Sequence, residues 1–285
     1  MNKKILILGA NGMIGYSFFK YFKKTNFQTF GMLREKEKLS NYKNIYFDKN
    51  IIETDFSNLI TFKKLFKEVH PQITINCIGI IKQKPEAKDK KKLIEINALF
   101  PHLLKEICAE YGSRLIHIST DCIFSGNKGF YNENDLSDAH DLYGKTKFLG
   151  EISNKSTITL RTSVIGYELN SNYQLLNWFL SQETSVRGFS KAIFSGVTTL
   201  ELAKIIEKFI IPDCSLSGIY HISSESIDKY SLLNIIKKIY KKEIKINKDS
   251  ENIIDRSLNS SKFRNETGYK PLSWEEAIIN LKNFG

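Results

Sequence analysis

The chain has 285 residues, enough for one large domain with a smaller companion. Its 41% hydrophobic and 26% charged residues exclude disordered, collagen-like and disulfide-scaffold classes. The net charge is +11, but the basic residues alternate with apolar residues at helical spacing and form no single basic stripe, so no nucleic-acid partner is expected.

Cysteine spacing and hydropathy indicate the cellular compartment. The four cysteines, Cys77, Cys108, Cys122 and Cys214, have no C-x-x-C spacing, so we expect reduced thiols and no metal site. The apolar run 5–8 is too short for a signal-peptide core, and no run reaches the ~18 residues of a membrane span. A cytoplasmic protein without membrane contact is predicted.

Strand and helix patterns alternate along the first part of the chain. The continuous apolar run 5–8, ended by glycine, is typical of a parallel strand buried on both faces. Further strands are predicted at 27–33, 73–78, 115–119 and 158–162, and helices at 13–24, 59–69, 93–111 and from Tyr143 onward. Parallel strands need right-handed helical crossovers, so this order predicts an α/β fold with a doubly wound parallel (Rossmann) sheet.

The order becomes less regular after about residue 166. Helices are predicted at 173–182, 199–209, 232–240 and 274–281, with one short strand at 219–222. We predict a dinucleotide-binding domain over 1–165, to which 193–222 returns. Residues 166–192 and 223–285 are assigned to a smaller C-terminal α/β substrate-binding domain.

A glycine-rich loop follows the first strand directly and opens the first helix. Its sequence GANGMIG, residues 9–15, has the G-x-x-G-x-x-G spacing of short-chain dehydrogenases. Glycines permit a tight turn and close backbone approach, and the helix N-terminus attracts phosphate. A purely structural turn is the alternative. The predicted cofactor contacts here are Gly9, Asn11, Gly12, Met13, Ile14 and Gly15.

The end of the second strand bears on the choice of cofactor. An acid there would bind a ribose 2′-hydroxyl, but the strand ends in Arg34. Arg34, with Lys36 or Lys38 as helpers, suits the 2′-phosphate of NADPH, whereas a solvated arginine is the plainer alternative. NADPH is therefore predicted over NADH.

The catalytic chemistry is predicted from two nearby segments. Ser119 and Thr120 end a buried strand, and Tyr143 and Lys147 lie four residues apart on one helix face. The ammonium of Lys147 is expected to lower the tyrosine pKa from its usual value of about 10. Tyr143 would protonate a carbonyl oxygen to which Thr120 hydrogen-bonds, as ketone reduction requires. A solvated pair is the alternative for Tyr143 and Lys147.

Together these motifs closely resemble the dTDP-4-dehydrorhamnose reductase family of extended short-chain dehydrogenases/reductases. The resemblance also covers DFSN at 55–58, NCIG at 76–79, STDCIF at 119–124, YGKTK at 143–147, RTS at 161–163 and NSSKF at 259–263. It implies that Thr120, Tyr143 and Lys147 are the catalytic triad and that Lys147 also holds the nicotinamide ribose. The further cofactor contacts that it implies are Asp55, Phe56, Cys77, Ile78 and Gly79.

One departure from related enzymes narrows the chemistry. The similar 4,6-dehydratases carry a glutamate where this chain has Cys122, so dehydration is not expected. GDP-fucose synthase, an epimerase as well as a reductase, is similar in placing a cysteine there. Cys122 is therefore either a proton-transfer group or a small buried residue.

The resemblance is less specific on the substrate side. It implies that an arginine in the last third binds the nucleotide diphosphate, and Arg256 matches best, although Ser257 replaces the usual proline. Thr120, Asp121, Arg187 and Asn177 are the other substrate candidates. Surface roles remain the alternative for Arg256 and Arg187.

The function implied is NADPH-dependent reduction of a nucleotide-linked 4-keto-6-deoxysugar, a nucleotide-diphosphate sugar, for surface polysaccharide precursors. Two alternatives stay open. One is a bifunctional epimerase-reductase of the GDP-fucose synthase type, and the other a non-catalytic, cofactor-binding regulatory subunit like that of methionine adenosyltransferase. An intact Thr120, Tyr143 and Lys147 argues against the latter. The resemblance leaves a homodimer open.

Overall fold

The computed structural model describes residues 2–36, 42, 47–169 and 171–285, so Lys38 lies outside the described residues. The strands are β1 (Lys4–Leu8), β2 (Gln28–Leu33), β3 (Ile51–Glu53), β4 (Ile73–Asn76), β5 (Arg114–Ile118), β6 (Thr157–Arg161), β7 (Val164–Ile165), β8 (Ser185–Phe189), β9 (Ala192–Phe194), β10 (Val197–Thr198), β11 (Gly218–His221), β12 (Ile227–Asp228), β13 (Lys245–Asp249) and β14 (Ile254–Asp255).

The helices follow the same chain order. They are α1 (Met13–Phe22), α2 (Leu59–Val69), α3 (Lys90–Ile94), α4 (Phe100–Glu110), α5 (Leu142–Leu149), α6 (Leu175–Ser181), α7 (Thr199–Ile205), α8 (Lys229–Tyr240), α9 (Ser261–Thr267) and α10 (Trp274–Phe284). A π-helical turn, Glu95–Leu99, joins α3 to α4, and another, Ile206–Ile210, extends α7. None of the helices in the described ranges is both long and apolar enough to cross a bilayer.

Seven parallel strands form the central sheet in the order β11-β6-β5-β4-β1-β2-β3. The order reverses direction between β1 and β4, which opens a crevice at the carboxyl ends of the strands. The predicted doubly wound α/β fold is confirmed.

The two faces of the sheet are covered by separate apolar layers. Ile5 and Ile7 of β1 pack with Phe18 of α1 on one face, while Leu6 and Leu8 pack with Phe62 of α2 on the other. Because successive side chains of a strand point to opposite faces, a continuous apolar run is what burial on both faces requires.

A third apolar cluster lies in the C-terminal part, where α6, α8 and α10 pack together. Its fully buried side chains include Phe179, Leu232, Ile236 and Ile278. Helix α7 instead shares a cluster with α1, through Leu202 and others. This packing is compatible with the predicted return of 193–222 to the first domain, and the domain boundaries stay a prediction.

Candidate active site

The glycine loop is shaped by close backbone contacts. Gly9 has a positive φ of 79°, which favours glycine, and a Cβ on Gly15 would lie only 2.2 Å from the carbonyl oxygen of Gly9. Gly12 caps α1, whose first-turn N–H groups need partners from outside the helix. This geometry presents backbone donors to an anion at the crevice.

Three neighbouring cavities share lining residues, beginning at the carboxyl edge of the sheet and reaching the C-terminal part of the chain. The first, which we call the outer cleft, is lined among others by Gly9, Asn11, Gly12, Arg34 and Phe56. The second, the inner cleft, is lined among others by Met13, Ile14, Thr120, Tyr143 and Lys147. The third, the side cavity, is lined among others by Asp121, Trp178, Arg187, Lys229 and Arg256. Cys77, Ile78 and Gly79 border both clefts, and Asp121 and Cys122 border both the inner cleft and the side cavity. Gly15 lies behind the wall and acts through packing.

Charged side chains of both signs stand in the wall of the outer cleft. Arg34 and Glu35 follow β2, with 3.4 Å between Arg34 Nε and Glu35 Oε1. Lys84 and Lys92 line the same cleft. Sequence reasoning missed Glu35, although it lies one position beyond the place where an acid was sought.

Asp55 lies outside the walls of these cavities. Its Oδ1 accepts a hydrogen bond of 3.0 Å from the backbone N–H of Ser57. That hydrogen bond, with a smaller contribution from Arg34, holds the pKa of the carboxyl below its usual value. The structure therefore brings Phe56 to the cleft and leaves Asp55 shaping the turn beside it.

A buried asparagine holds the loop between the two clefts. Asn97 lies in the π-helical turn, where its Oδ1 accepts from Ile80 N at 2.9 Å and its Nδ2 donates to Ile80 O at 2.9 Å. These two bonds satisfy the loop backbone as a neighbouring strand would. Sequence reasoning missed Asn97; a polar residue between apolar helix positions was the available signal.

Helix α5 brings Tyr143 and Lys147 to the inner cleft. Asp141 caps this helix by accepting from Gly144 N at 2.7 Å. A Cβ on Gly144 would lie 2.3 Å from the carbonyl oxygen of Cys122, so glycine lets the helix pack directly against the segment that follows β5. Lys147 Nζ donates to the carbonyl oxygen of Ile118 at 2.9 Å. Tyr143, Lys147 and Thr120 thus line one wall.

The pKa values in this wall differ from the sequence-based expectation. Burial raises the pKa of Tyr143, as do Cys122 and Asp121, and the expected lowering by Lys147 is not found. Burial lowers the pKa of Lys147 to about 8, against the opposing effect of Glu151. At neutral pH the site therefore holds a protonated phenol beside a mostly protonated amine.

A buried ion pair supports the end of β5. Glu151 accepts from Ser119 Oγ at 2.6 Å and from Arg161 Nη2 at 2.7 Å. Both side chains of the pair are only 3% exposed, and Arg161 Nη1 lies 3.3 Å from His221 Nε2. This network anchors the residue before Thr120, and sequence reasoning missed it because its members come from separate segments.

Thr120 and Cys122 form a tight turn after the strand. Thr120 Oγ1 donates to Asp121 Oδ1 at 3.1 Å and accepts from Cys122 N at 3.1 Å. Burial and Asp121 raise the pKa of the Cys122 thiol to about 12, although Arg256 opposes the shift. The thiol is therefore protonated at neutral pH and is no ready base.

The substrate candidates divide into two groups. Arg256 and Arg187 line the side cavity; Arg256 Nε donates to Phe124 O at 2.8 Å, while Arg187 is largely exposed and lies 3.3 Å from Asp249. Asn177 does not reach the cavity. Its side-chain amide accepts from Glu168 N and donates to Glu168 O, both at 3.1 Å. Trp178, the next residue of α6, lines the cavity instead, and the assignment of Asn177 to substrate binding stays a prediction that this placement does not favour.

Two lysines of the side cavity, Lys82 and Lys229, were not among the predicted residues. In the described part of the chain, His, Cys, Asp and Glu side chains form no group of three or more that could hold a metal ion.

Comparisons with known proteins agree with the fold. The family model described as the RmlD substrate binding domain matches residues 3–282. A spore coat polysaccharide biosynthesis protein, SpsK, of Bacillus subtilis is 25% identical, covering 96% of this chain and 95% of that protein. The dTDP-4-dehydrorhamnose reductase of Aggregatibacter actinomycetemcomitans is 24% identical, covering 99% of each.

A third relative and a solved structure complete the comparison. Methionine adenosyltransferase 2 subunit beta of Mus musculus is 26% identical, covering 53% of this chain and 42% of that protein. The crystal structure of dTDP-4-dehydrorhamnose reductase from Bacillus anthracis in complex with NADP superposes with a TM-score of 0.79 at 21% identity, covering 99% of this chain and 98% of that one. That likeness shows a shared fold.

Proposed function

The chain belongs to the RmlD substrate binding domain family of extended short-chain dehydrogenases/reductases, and from that premise we propose that it reduces a nucleotide-linked 4-keto-6-deoxysugar with NADPH. One observation carries the proposal: Thr120, Tyr143 and Lys147 line a single cleft between the glycine loop and a cation-rich cavity. Its use in making surface polysaccharide precursors is proposed from the SpsK and dTDP-4-dehydrorhamnose reductase relatives.

The residues of the clefts fit a dinucleotide. The left-handed turn at Gly9 and the close approach at Gly15 leave the start of α1 open to a pyrophosphate. Lys147 would hold the nicotinamide ribose, and Arg34 the 2′-phosphate. When bound, NADPH would supply the hydride that reduces the carbonyl carbon. The preference over NADH rests on Arg34, opposed by the neighbouring Glu35.

Protein side chains then supply the proton that the carbonyl oxygen needs. Tyr143 enters the reaction protonated, because burial raises its pKa, and it donates that proton to the carbonyl oxygen. Thr120 turns its hydroxyl from Asp121 to the same oxygen. The ammonium of Lys147 stabilises the phenolate left behind. Such general acid catalysis contributes typically ~10²- to 10⁴-fold in rate.

The two alternatives are less well supported. An epimerase needs a base to remove a proton from the sugar, and the raised pKa of Cys122 disfavours that role. A regulatory subunit is suggested by the relative methionine adenosyltransferase 2 subunit beta. A protein with only that role would not need Tyr143 and Lys147 side by side in a cleft.

A substrate panel tests the proposal. Purified protein is mixed with NADPH and with dTDP-, UDP-, GDP- or CDP-linked 4-keto-6-deoxysugars, and NADPH absorbance is followed with NMR of the product. We expect consumption of NADPH and a 4-hydroxy sugar with one nucleotide preferred. Solvent deuterium entering sugar C3 or C5 would replace the simple reductase by the epimerase-reductase, and no turnover with any sugar would favour the regulatory subunit.

A further inference from the structure

The ammonium of Lys147 is buried with little direct compensation for its charge. Only 6% of the residue is exposed, and within the described part of the chain its Nζ donates one hydrogen bond, to the carbonyl oxygen of Ile118 at the end of β5. A carbonyl dipole offsets a buried charge only in part, so burial favours the neutral amine. The charged form of Lys147 therefore needs support from a group beyond that carbonyl.

Glu151 lies one helical turn beyond Lys147, just after the end of α5. Side chains four residues apart project from the same side of a helix, so both can reach the same neighbouring strand. Glu151 accepts from Ser119 Oγ at 2.6 Å, and Lys147 donates to the carbonyl oxygen of Ile118 at 2.9 Å. The carboxylate and the ammonium are thus held against consecutive residues at the end of β5.

Arg161 of β6 fixes the Glu151 side chain in this position. Its Nε lies 2.9 Å from Glu151 Oε1 and its Nη2 lies 2.7 Å from Glu151 Oε2, the two-pronged arrangement in which arginine holds a carboxylate. The ion pair of Glu151 is with Arg161, so its effect on Lys147 acts through space. Buried charges are poorly screened by solvent, and Glu151 opposes the lowering of the Lys147 pKa that burial causes.

The surrounding elements bring other titratable groups near this pair. They are Cys77 after β4, Glu95 on the π-helical turn, His102 on α4, His117 on β5, Asp121 and Cys122 after β5, Tyr143 on α5 and His221 on β11. Burial raises the pKa of Cys77, Cys122 and Tyr143, which stay protonated between about pH 7 and 9. It lowers the pKa of His117 and His221, which stay neutral there. Lys147, with a pKa of about 8, titrates inside that range.

We propose that Glu151 is a positioning residue for the reduction, whose buried carboxylate keeps Lys147 charged in the inner cleft and thereby supports NADPH binding. The inference rests on the proposed function and gives Glu151 an electrostatic role besides its pairing with Arg161. A structural role alone would make the loss of Glu151 weaken NADPH binding equally at every pH. An electrostatic role makes the loss depend on pH, because without the carboxylate the pKa of Lys147 falls and the ammonium disappears at lower pH.

The Kd of NADPH, measured against pH by fluorescence and without any sugar, tests the proposal. In the wild type it should be level near pH 7 and rise above about pH 8, as Lys147 loses its charge. Glu151→Gln alone leaves Arg161 buried without a counterion, so a double variant, Glu151→Gln with Arg161→Gln, removes both buried charges. Because Glu151 outweighs Arg161 in its effect on the Lys147 pKa, the rise should begin about half a pH unit or more lower in both variants.

Lys145→Gln is the matched control, since Lys145 lies on α5 two residues from Lys147 but is exposed. Solvent screens the charge that it removes, so the rise in Kd should stay at the wild-type pH. Circular dichroism at each pH confirms that the variants are folded. If the folded Glu151 variants show the rise at the wild-type pH, or if the wild-type Kd does not change with pH, the role of Glu151 is overturned while the reductase proposal stands. Wild-type protein that binds no NADPH would overturn both.

Discussion

The inner cleft and the side cavity meet at Asp121 and Cys122, yet they are held in place by different means. The inner cleft is formed by helices and strands that pack closely at glycines, and the buried ion pair of Arg161 and Glu151 lies behind it. The side cavity is assembled from side chains of separate segments, several of them charged and partly exposed. A preorganised wall suits proton transfer, because its groups need little rearrangement during the reaction. The two regions should therefore respond differently to substitution.

The largest effect should come from breaking the buried pair behind the inner cleft. Glu151→Gln leaves Arg161 charged and buried without its counterion, which should lower the free energy of unfolding by about 3–5 kcal/mol. Arg187→Gln, which breaks the exposed contact to Asp249 at the side cavity, should cost less than about 1 kcal/mol. Urea denaturation of both variants measures the difference. Equal losses would show that the two regions are supported alike.

Removing the tyrosine hydroxyl should act on turnover alone. Tyr143→Phe keeps the ring and its packing but removes the donated proton, so kcat should fall roughly a hundredfold or more while the Kd of NADPH stays nearly constant. Tyr111→Phe, at the end of α4, is the control. Lys147→Ala should weaken NADPH binding as well as turnover. Near wild-type reduction of a true substrate by Tyr143→Phe would disprove the catalytic assignment.

The same contrast explains what could be predicted from the sequence. The glycine loop and the Tyr143 helix are contiguous motifs on periodic elements, so their spacing and their position in the order of strands and helices predicted where they lie, and their chemistry stays a prediction. The helix over 59–69 matches the structure at both ends, because apolar periodicity and the Asn58 cap coincide there.

Residues that only folding brings together were beyond that reasoning. Lys82 and Lys229 line the same cavity as Arg256 but lie on separate segments, and no local spacing relates them to it. Glu151 was unrecognised as the partner of Arg161 for the same reason. Asn177 and Trp178 are neighbours on α6 and point in different directions, so the sequence did not decide which of the two lines the cavity. The expectation for the Tyr143 pKa did not account for burial and the acidic neighbours, which together raise it.

Titration of the inner cleft should appear in the pH profile. In the proposed mechanism the charged form of Lys147 holds the ribose; because burial lowers its pKa to about 8, that form is lost as the pH rises through this value. We expect kcat/KM for NADPH to be level near pH 7 and to fall about tenfold per pH unit on the alkaline side. Lys147→Arg, which stays charged, should abolish this decline in whatever activity it retains. A decline that persists in Lys147→Arg would assign the titration to another group.

The smallest effect is expected in the outer cleft, which resembles the side cavity in depending on exposed charges. Arg34 is exposed and lies against Glu35, so solvent screening limits what either charge contributes to the recognition of a 2′-phosphate. Arg34→Ala should raise the KM for NADPH severalfold and leave that for NADH nearly unchanged. Glu35→Gln removes the opposing charge and should lower the KM for NADPH while raising that for NADH, if its carboxylate accepts from a ribose hydroxyl. Initial rates with both cofactors, at low and high salt, give the two ratios. Because both effects are electrostatic they should shrink at high salt, and a ratio that Arg34→Ala leaves unchanged at low salt would remove Arg34 from the cofactor site.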